Sequence, residues 1–329
     1  MAQINCDDDP IACLRDMFVS VTQKSRLLAG QSPARRPVFL KAHGVAAGTF
    51  IVRPDLPAAY RVGVFGYDQL PAWVRFSSDT LPGLTDKGAT AGIGIKLWGI
   101  NGEKMLPTEE DAVTQDFILQ NYPVFFVSNA LEMCRFTKAG VIDHDYDLYL
   151  KDHPETDQIL QSMSRPVPGV LETDYYSALP YAFGPDQYVK YLIRPAAAVV
   201  SPIPNNNPNY LADQLKQVLL AGPVTLDFFV QLRTDPDKMP LDDAMVRWDE
   251  EVSRPVPVAS LVLRQQNIGS PGQDSYGENL SFQPWHSLPE HTPVGSINEA
   301  RKSVYKAAAD LRRNFNGIPI GESANPRSL

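Results

Sequence analysis

The sequence predicts one α+β domain built on a large antiparallel β-sheet that closes on itself, which removes its edges. Three observations carry this. Strand-length segments such as Val224 to Leu232, with Val224, Leu226, Phe228, Val230 and Leu232 in alternation, recur along the chain between turn residues. A helix with a start signal and a stop signal lies near the C-terminus, at Ser296 to Phe315. The 29 prolines are spread throughout and no repeat stands out, so nothing divides the 329 residues into separate units.

In chain order, residues 1–35 read as an acidic arm, helical from Ile11 to Leu28, followed by a Ser/Pro-rich connector. Residues 36–320 form the folded domain, and 321–329 a flexible tail. Arg36 to Val52 reads as strand, glycine turn, strand. Further strands are expected at Ala72 to Ser77, Gly92 to Trp98, Val189 to Ile193, Val224 to Leu232 and Val256 to Leu263. Residues 129–165 and 210–220 read as helical. Ser296 followed by Glu299 forms a capping box, and Asn316-Gly317 stops the helix it opens. At about 100° per residue, Arg301, Tyr305 and Arg312 fall within roughly 40° of one another on that helix. A phenol thus stands between two guanidinium groups, unless the helix is merely an exposed basic one that carries a Tyr.

Composition narrows the function classes. A net charge of −8 argues against nucleic acid and anionic membranes as main partners. No run approaches the ~18 apolar residues of a membrane-spanning helix, and the N-terminus lacks a secretory pattern. Cys6, Cys13 and Cys134 are too scattered for a disulfide framework or a zinc site. His286 and His291, separated by prolines and without a carboxylate at zinc-ligand spacing, read as structural. A soluble cytoplasmic protein is the expectation.

Several residues invite a functional reading beside a plain one. His43, the only histidine in the first hundred residues, sits among glycines and alanines and is either structural or catalytic. Arg75 interrupts the apolar run Trp73-Val-Arg-Phe; it either faces an acid or solvent, or meets an anionic ligand. Gln120-Asn121 before Pro123-Val-Phe-Phe either serve a turn or line a polar pocket.

Taken together, three stretches resemble the haem-binding core of catalases and their small catalase-like relatives. They are Arg36-Pro-Val-Phe-Leu-Lys-Ala-His-Gly-Val-Ala-Ala-Gly-Thr-Phe, then Trp73-Val-Arg-Phe-Ser through Gly92-Ile-Gly-Ile-Lys to Gln120-Asn-Tyr-Pro-Val-Phe-Phe, then Arg301-Lys-Ser-Val-Tyr and Arg312. The resemblance implies a catalase-like closed antiparallel barrel with surrounding helices, and haem b as cofactor. Tyr305 would be the proximal iron ligand, a role phenolate fills elsewhere, and Arg301 its charge partner. Arg36, Arg75 and Arg312 would meet the two haem propionates. Phe39 stands where catalases carry their distal histidine, and Gln120 where they carry a distal asparagine, so His43, Gln120 and Asn121 are the candidate distal catalytic residues. A small-molecule peroxide or hydroperoxide is the implied substrate, and homo-oligomeric assembly is left open. With the distal set altered, rapid hydrogen peroxide dismutation should be impaired. A catalase-like allene oxide synthase, isomerising or dehydrating a bulky hydroperoxide, is the alternative, and a non-catalytic haem-binding protein of the same fold is a third.

Overall fold

The structure, a computed structural model, describes residues 5–328. Its centre is an antiparallel sheet of nine strands: β1 (Lys41–Val52), β2 (Gln69–Ser78), β3 (Ala91–Trp98), β4 (Thr114–Gln120), β5 (Tyr175–Tyr176), β6 (Tyr181–Ala182), β7 (Tyr188–Pro195), β8 (Val224–Leu232) and β9 (Val256–Leu263). They run in the order β5-β4-β3-β2-β1-β9-β8-β7-β6, and β5 also pairs with β7. That extra pairing, Tyr175 opposite Ile193 and Tyr176 opposite Leu192, closes eight strands into a barrel, with β6 hooked onto β7.

Large side chains fill the barrel. Phe50, Phe117, Tyr191 and Phe228 meet largely edge to face, with centroids 4.9–5.6 Å apart for the pairs Phe117–Phe228, Phe117–Tyr191, Phe50–Phe228 and Tyr191–Phe228. His291 joins this core as a neutral ring. The Val64 amide donates to its Nε2 at 3.2 Å, so its Nδ1–H donates to the Tyr191 hydroxyl at 3.0 Å. Burial pushes its pKa down to about 3.

The expected glycine turn after Arg36 is absent. Residues 41–52 form one continuous strand with a bulge between Ala42 and Gly44. The glycines there answer to packing instead: a Cβ at Gly48 would lie 2.7 Å from the Val262 carbonyl of β9.

The helices pack outside. The arm comprises α1 (Pro10–Arg15), a π-helical stretch at Asp16–Gln23 and α2 (Lys24–Leu28). α3 (Ala130–Val141), α4 (Tyr146–Asp152), α5 (Pro154–Met163), α6 (Tyr210–Ala221) and α7 (Gln273–Asn279) precede the long α8 (Ser296–Phe315). α8 has its expected bounds, but Ser296 does not form a capping box. Gly295 is the N-cap, and Asp242 from a distant loop accepts from the Ser296 amide at 2.6 Å and from its hydroxyl at 2.7 Å.

Two further expectations are corrected. Cys6 and Cys134 form a disulfide across 128 positions, their Cα atoms 5.8 Å apart. Spacing along the chain gave no sign of it, because the arm folds back onto α3. The 321–329 segment, expected to be loose, is tied down through residue 327: Glu322 pairs with Lys96 and Arg313, Ser323 accepts from the Trp98 indole, and the Arg327 amide donates to Tyr276. Among the described residues no helix is long and apolar enough to cross a membrane.

Candidate active site: a cavity under α8

Between α8, the arm, the α3–α5 helices and the edges of β2–β4 lies a cavity of about 470 Å³, a volume typical of cofactor and ligand sites. α8 contributes the face on which Arg301, Tyr305 and Arg312 align, and the residues between them are small: Ala300, Val304, Ala308 and Ala309. Short side chains at these steps leave a flat surface beside the phenol. Leu14 and Phe18 of the arm complete this side. The π-helical turn carrying Phe18 is a geometry frequent at functional positions.

Across β2 the two-residue period of a strand turns Arg75 and Ser77 toward the cavity, and Asp79, just past the strand's end, lines it too. On β3, Gly92 and Gly94 leave room for rings: a Cβ at Gly92 would lie 2.6 Å from the Phe39 ring, and one at Gly94 3.0 Å from Phe282. Phe39 itself has φ +53°, a left-handed backbone rare for a bulky residue.

The electrostatics are lopsided. Arg36 and Arg75 share one carboxylate, Glu278, at 3.4 and 2.8 Å. Arg312 donates to the Leu280 carbonyl at 3.1 Å, and its Nε is buried without a partner among the described residues. Burial and then the neighbouring Arg75 and Arg312 hold Arg36 well below its ordinary value. Although burial works the other way, Arg75 and Arg36 hold the Glu278 carboxyl down at about 2. Three guanidinium groups against one carboxylate leave room for further negative charge. The Arg301 guanidinium lies 5.1 Å from the Tyr305 ring centre and donates to Asn298 at 3.1 Å. Burial lowers it, but Tyr305 and Tyr181 draw its pKa above the ordinary value.

Of the residues singled out in the sequence, Arg36, Phe39, Arg75, Gln120, Arg301, Tyr305 and Arg312 line this one cavity. His43 and Asn121 do not. His43 is buried behind β2, its Nε2 3.1 Å from the Ser78 hydroxyl and its Nδ1 3.8 Å from Asp86, which Lys41 holds at 2.6 Å. Burial pushes its pKa down to about 4, so it stays a neutral ring inside a clasp between β1 and the residue 84–86 loop. Asn121 spends its side-chain oxygen on the Ala91 amide at 3.0 Å, a strand-end role. Gln120 reaches the cavity, but its NH₂ donates to the carbonyls of Val124 at 2.8 Å and Tyr122 at 3.4 Å, so it offers the cavity an acceptor.

Asp79 and the apolar lobe formed by Phe136, Val141, Tyr146, Leu160 and Met163 were missed in the sequence. Strand alternation from Arg75 through Ser77 could have found Asp79; no local pattern marks the lobe.

The donor set suits haem. A phenol stands on the floor, guanidinium groups with unspent charge stand at one end, and an orphaned Arg312 Nε faces the same region. A second polar cluster is a different matter. Glu109, His286 and Glu322 converge within 4.8 Å, yet Lys96, Lys306 and Arg313 already pair with them, at 2.7 Å (Lys96–Glu322), 3.1 Å (Lys306–Glu109) and 3.1 Å (Arg313–Glu322). It is a closed ion network.

No family model matches the sequence, and no curated protein matches it either. Solved structures do. A fungal catalase aligns with TM-score 0.70 at 17% identity over 90% of this chain and 63% of its own. A bacterial catalase aligns with TM-score 0.70 at 16% identity over 93% and 64%, and catalase A from Saccharomyces cerevisiae with 0.68 at 19% over 90% and 65%. The chain therefore spans somewhat under two thirds of the catalases it matches. The closed eight-stranded barrel, with its helices packed outside, is the catalase fold.

Proposed function

We propose that the protein is a haem b-dependent oxidoreductase acting on hydrogen peroxide or an organic hydroperoxide. The observation that carries this is the convergence of Tyr305, Arg301 and three under-neutralised arginines on one cavity of the catalase fold. Tyr305 would ligate the iron, with the Arg301 guanidinium beside it as its charge partner. Arg36, Arg75 and Arg312 would hold the two propionates. Ala300, Ala308 and Ala309 would let the macrocycle lie flat against α8. When bound, haem supplies an iron centre whose electrons cleave the O–O bond. Leu14, Phe18 and Val304 keep water from the phenolate side.

The test is haem content. Tyr305→Phe should purify with less than a tenth of stoichiometric haem and lose the Soret band after haemin is added. A variant with full occupancy would remove Tyr305 from the ligand role.

The apolar lobe favours a second reading, isomerisation or dehydration of a bulky hydroperoxide. Among its lining residues between Ile118 and Met163 none is charged, which suits a hydrocarbon chain better than hydrogen peroxide. Product analysis with a fatty-acid hydroperoxide, beside oxygen evolution from hydrogen peroxide, separates the two. A haem-replete protein inert to both would be a binding protein.

A further inference from the structure

Resting on that reading, we propose that Asp79 is the general acid–base of this cavity, accepting a proton from a bound hydroperoxide and returning it to the departing oxygen. Asp79 is the one carboxylate among the residues that line the cavity. The other ionisable groups facing it are Arg36, Arg75, Arg301 and Arg312 and the phenols of Tyr146 and Tyr305. The arginines stay charged and Tyr305 is committed to the floor. The neighbouring residues, Thr90 just before β3, Gly92 and Gly94 on it, and Ile118 and Gln120 on β4, bring no titrating group.

The usual distal position is closed to proton transfer, because Phe39 stands on it and His43 is sealed behind β2. Gln120 has its NH₂ engaged. Asp79 is positioned for the task. It follows directly on Ser78, the last residue of β2, and lines the same cavity as Arg75 and Ser77. A group held by Arg75 through a carboxylate would share that cavity with it. The Thr90 amide donates to Oδ1 at 2.9 Å and fixes the carboxyl. Burial raises its pKa above the ordinary carboxylate value, against the pull of that hydrogen bond. The residue is exposed as well as lining the cavity, so it stands where the cavity meets solvent. The step conserves protons. The carboxylate takes the hydroperoxide O–H proton and delivers it to the other oxygen, which leaves as water or an alcohol as the O–O bond breaks; haem would supply the two electrons of that cleavage and take up the remaining oxygen, and Asp79 ends as carboxylate.

The experiment compares haemin-loaded wild type, Asp79→Asn and Asp79→Glu by Soret absorbance, by azide binding from pH 4 to pH 9, and by peroxide turnover. Hydrazoic acid must shed its proton on binding as the anion, so azide affinity reads the base independently of turnover. Asp79→Asn should keep full haem occupancy, flatten the pH profile of azide affinity and lose about 100-fold in turnover; Asp79→Glu should regain part of each. An Asn variant with the wild-type azide profile and turnover would overturn the assignment. A wild-type protein that forms no Soret band with haemin would overturn the haem reading and this assignment with it, a result distinct from a Soret band with an unmoved profile.

Discussion

Phe39 holds a left-handed backbone at φ +53°, at a cost of roughly 1–2 kcal/mol. Its carbonyl accepts from Arg75 at 3.2 Å, and its ring lies over Gly92. The strain is thus fastened on both sides by the residues that shape the cavity. Glu278 shows the same economy, since one carboxyl serves Arg36 and Arg75 together. Its folded pKa of about 2 lies below its ordinary 4.5, so the unfolded chain binds more protons between these values. The stabilisation it provides is complete above about pH 4.5 and is lost as the pH falls toward 2. Melting temperature measured over this range should fall less steeply for Glu278→Gln than for wild type, with a difference on the order of 2 kcal/mol at neutral pH. Equal slopes would remove Glu278 from the account. At this scale the guanidinium and phenol set was legible, because helical spacing puts Arg301, Tyr305 and Arg312 on one face. The placement of His43 was not. Only the bulge at Ala42/Gly44 decides on which side of β1 that ring falls, and no residue type encodes it unambiguously.

Among elements, α8 and the strands β8 and β9 were read from sequence with their observed bounds, since their periodicity is long and their limits are marked. The Gly-rich strand β1 was broken in two by the sequence reading. Glycine signals a turn and a close backbone approach alike, and here the neighbouring strand β9 decided. The arm is the element with most to gain from its partners. It packs against α3 and α8 through Leu14, Met17, Ala130, Ala300 and Val304, and the Cys6–Cys134 bond fastens it. Reduction, or Cys6→Ser, should lower stability by about 2–4 kcal/mol, read as a drop in melting temperature in reductant. Because Leu14 and Phe18 form part of the cavity wall, retention of the proposed haem should fall in parallel. A reduced protein with unchanged melting and haem content would show that packing alone holds the arm.

At the scale of the whole molecule, Lys96 sits at a junction. Its ammonium meets Asp116 at 2.6 Å and Glu322 at 2.7 Å, and it is fully buried. His286 links Asp116 to Glu109 through both ring nitrogens, at 2.9 and 2.7 Å. Burial and Lys96 oppose its charge, but those two hydrogen bonds raise its pKa. Through Lys306, Arg313 and Glu322 the network joins β3, β4, α8 and the C-terminal segment. Lys96→Met would leave two buried carboxylates short of a partner and should cost about 3–5 kcal/mol, measured by denaturant unfolding. A loss under 1 kcal/mol would mean that the remaining cations suffice. The closed barrel was foreseeable from the wish of strands to have no edges. This network was not, because its members lie up to 226 positions apart, as for Lys96 and Glu322, and each reads alone as an ordinary surface charge.

The Gln23 amide donates to the Ala308 carbonyl across 285 positions, and Leu14 and Phe18 beside it face Tyr305 across the cavity. The pocket is thus shared between two distant segments, so a fragment lacking either one leaves a wall of it open.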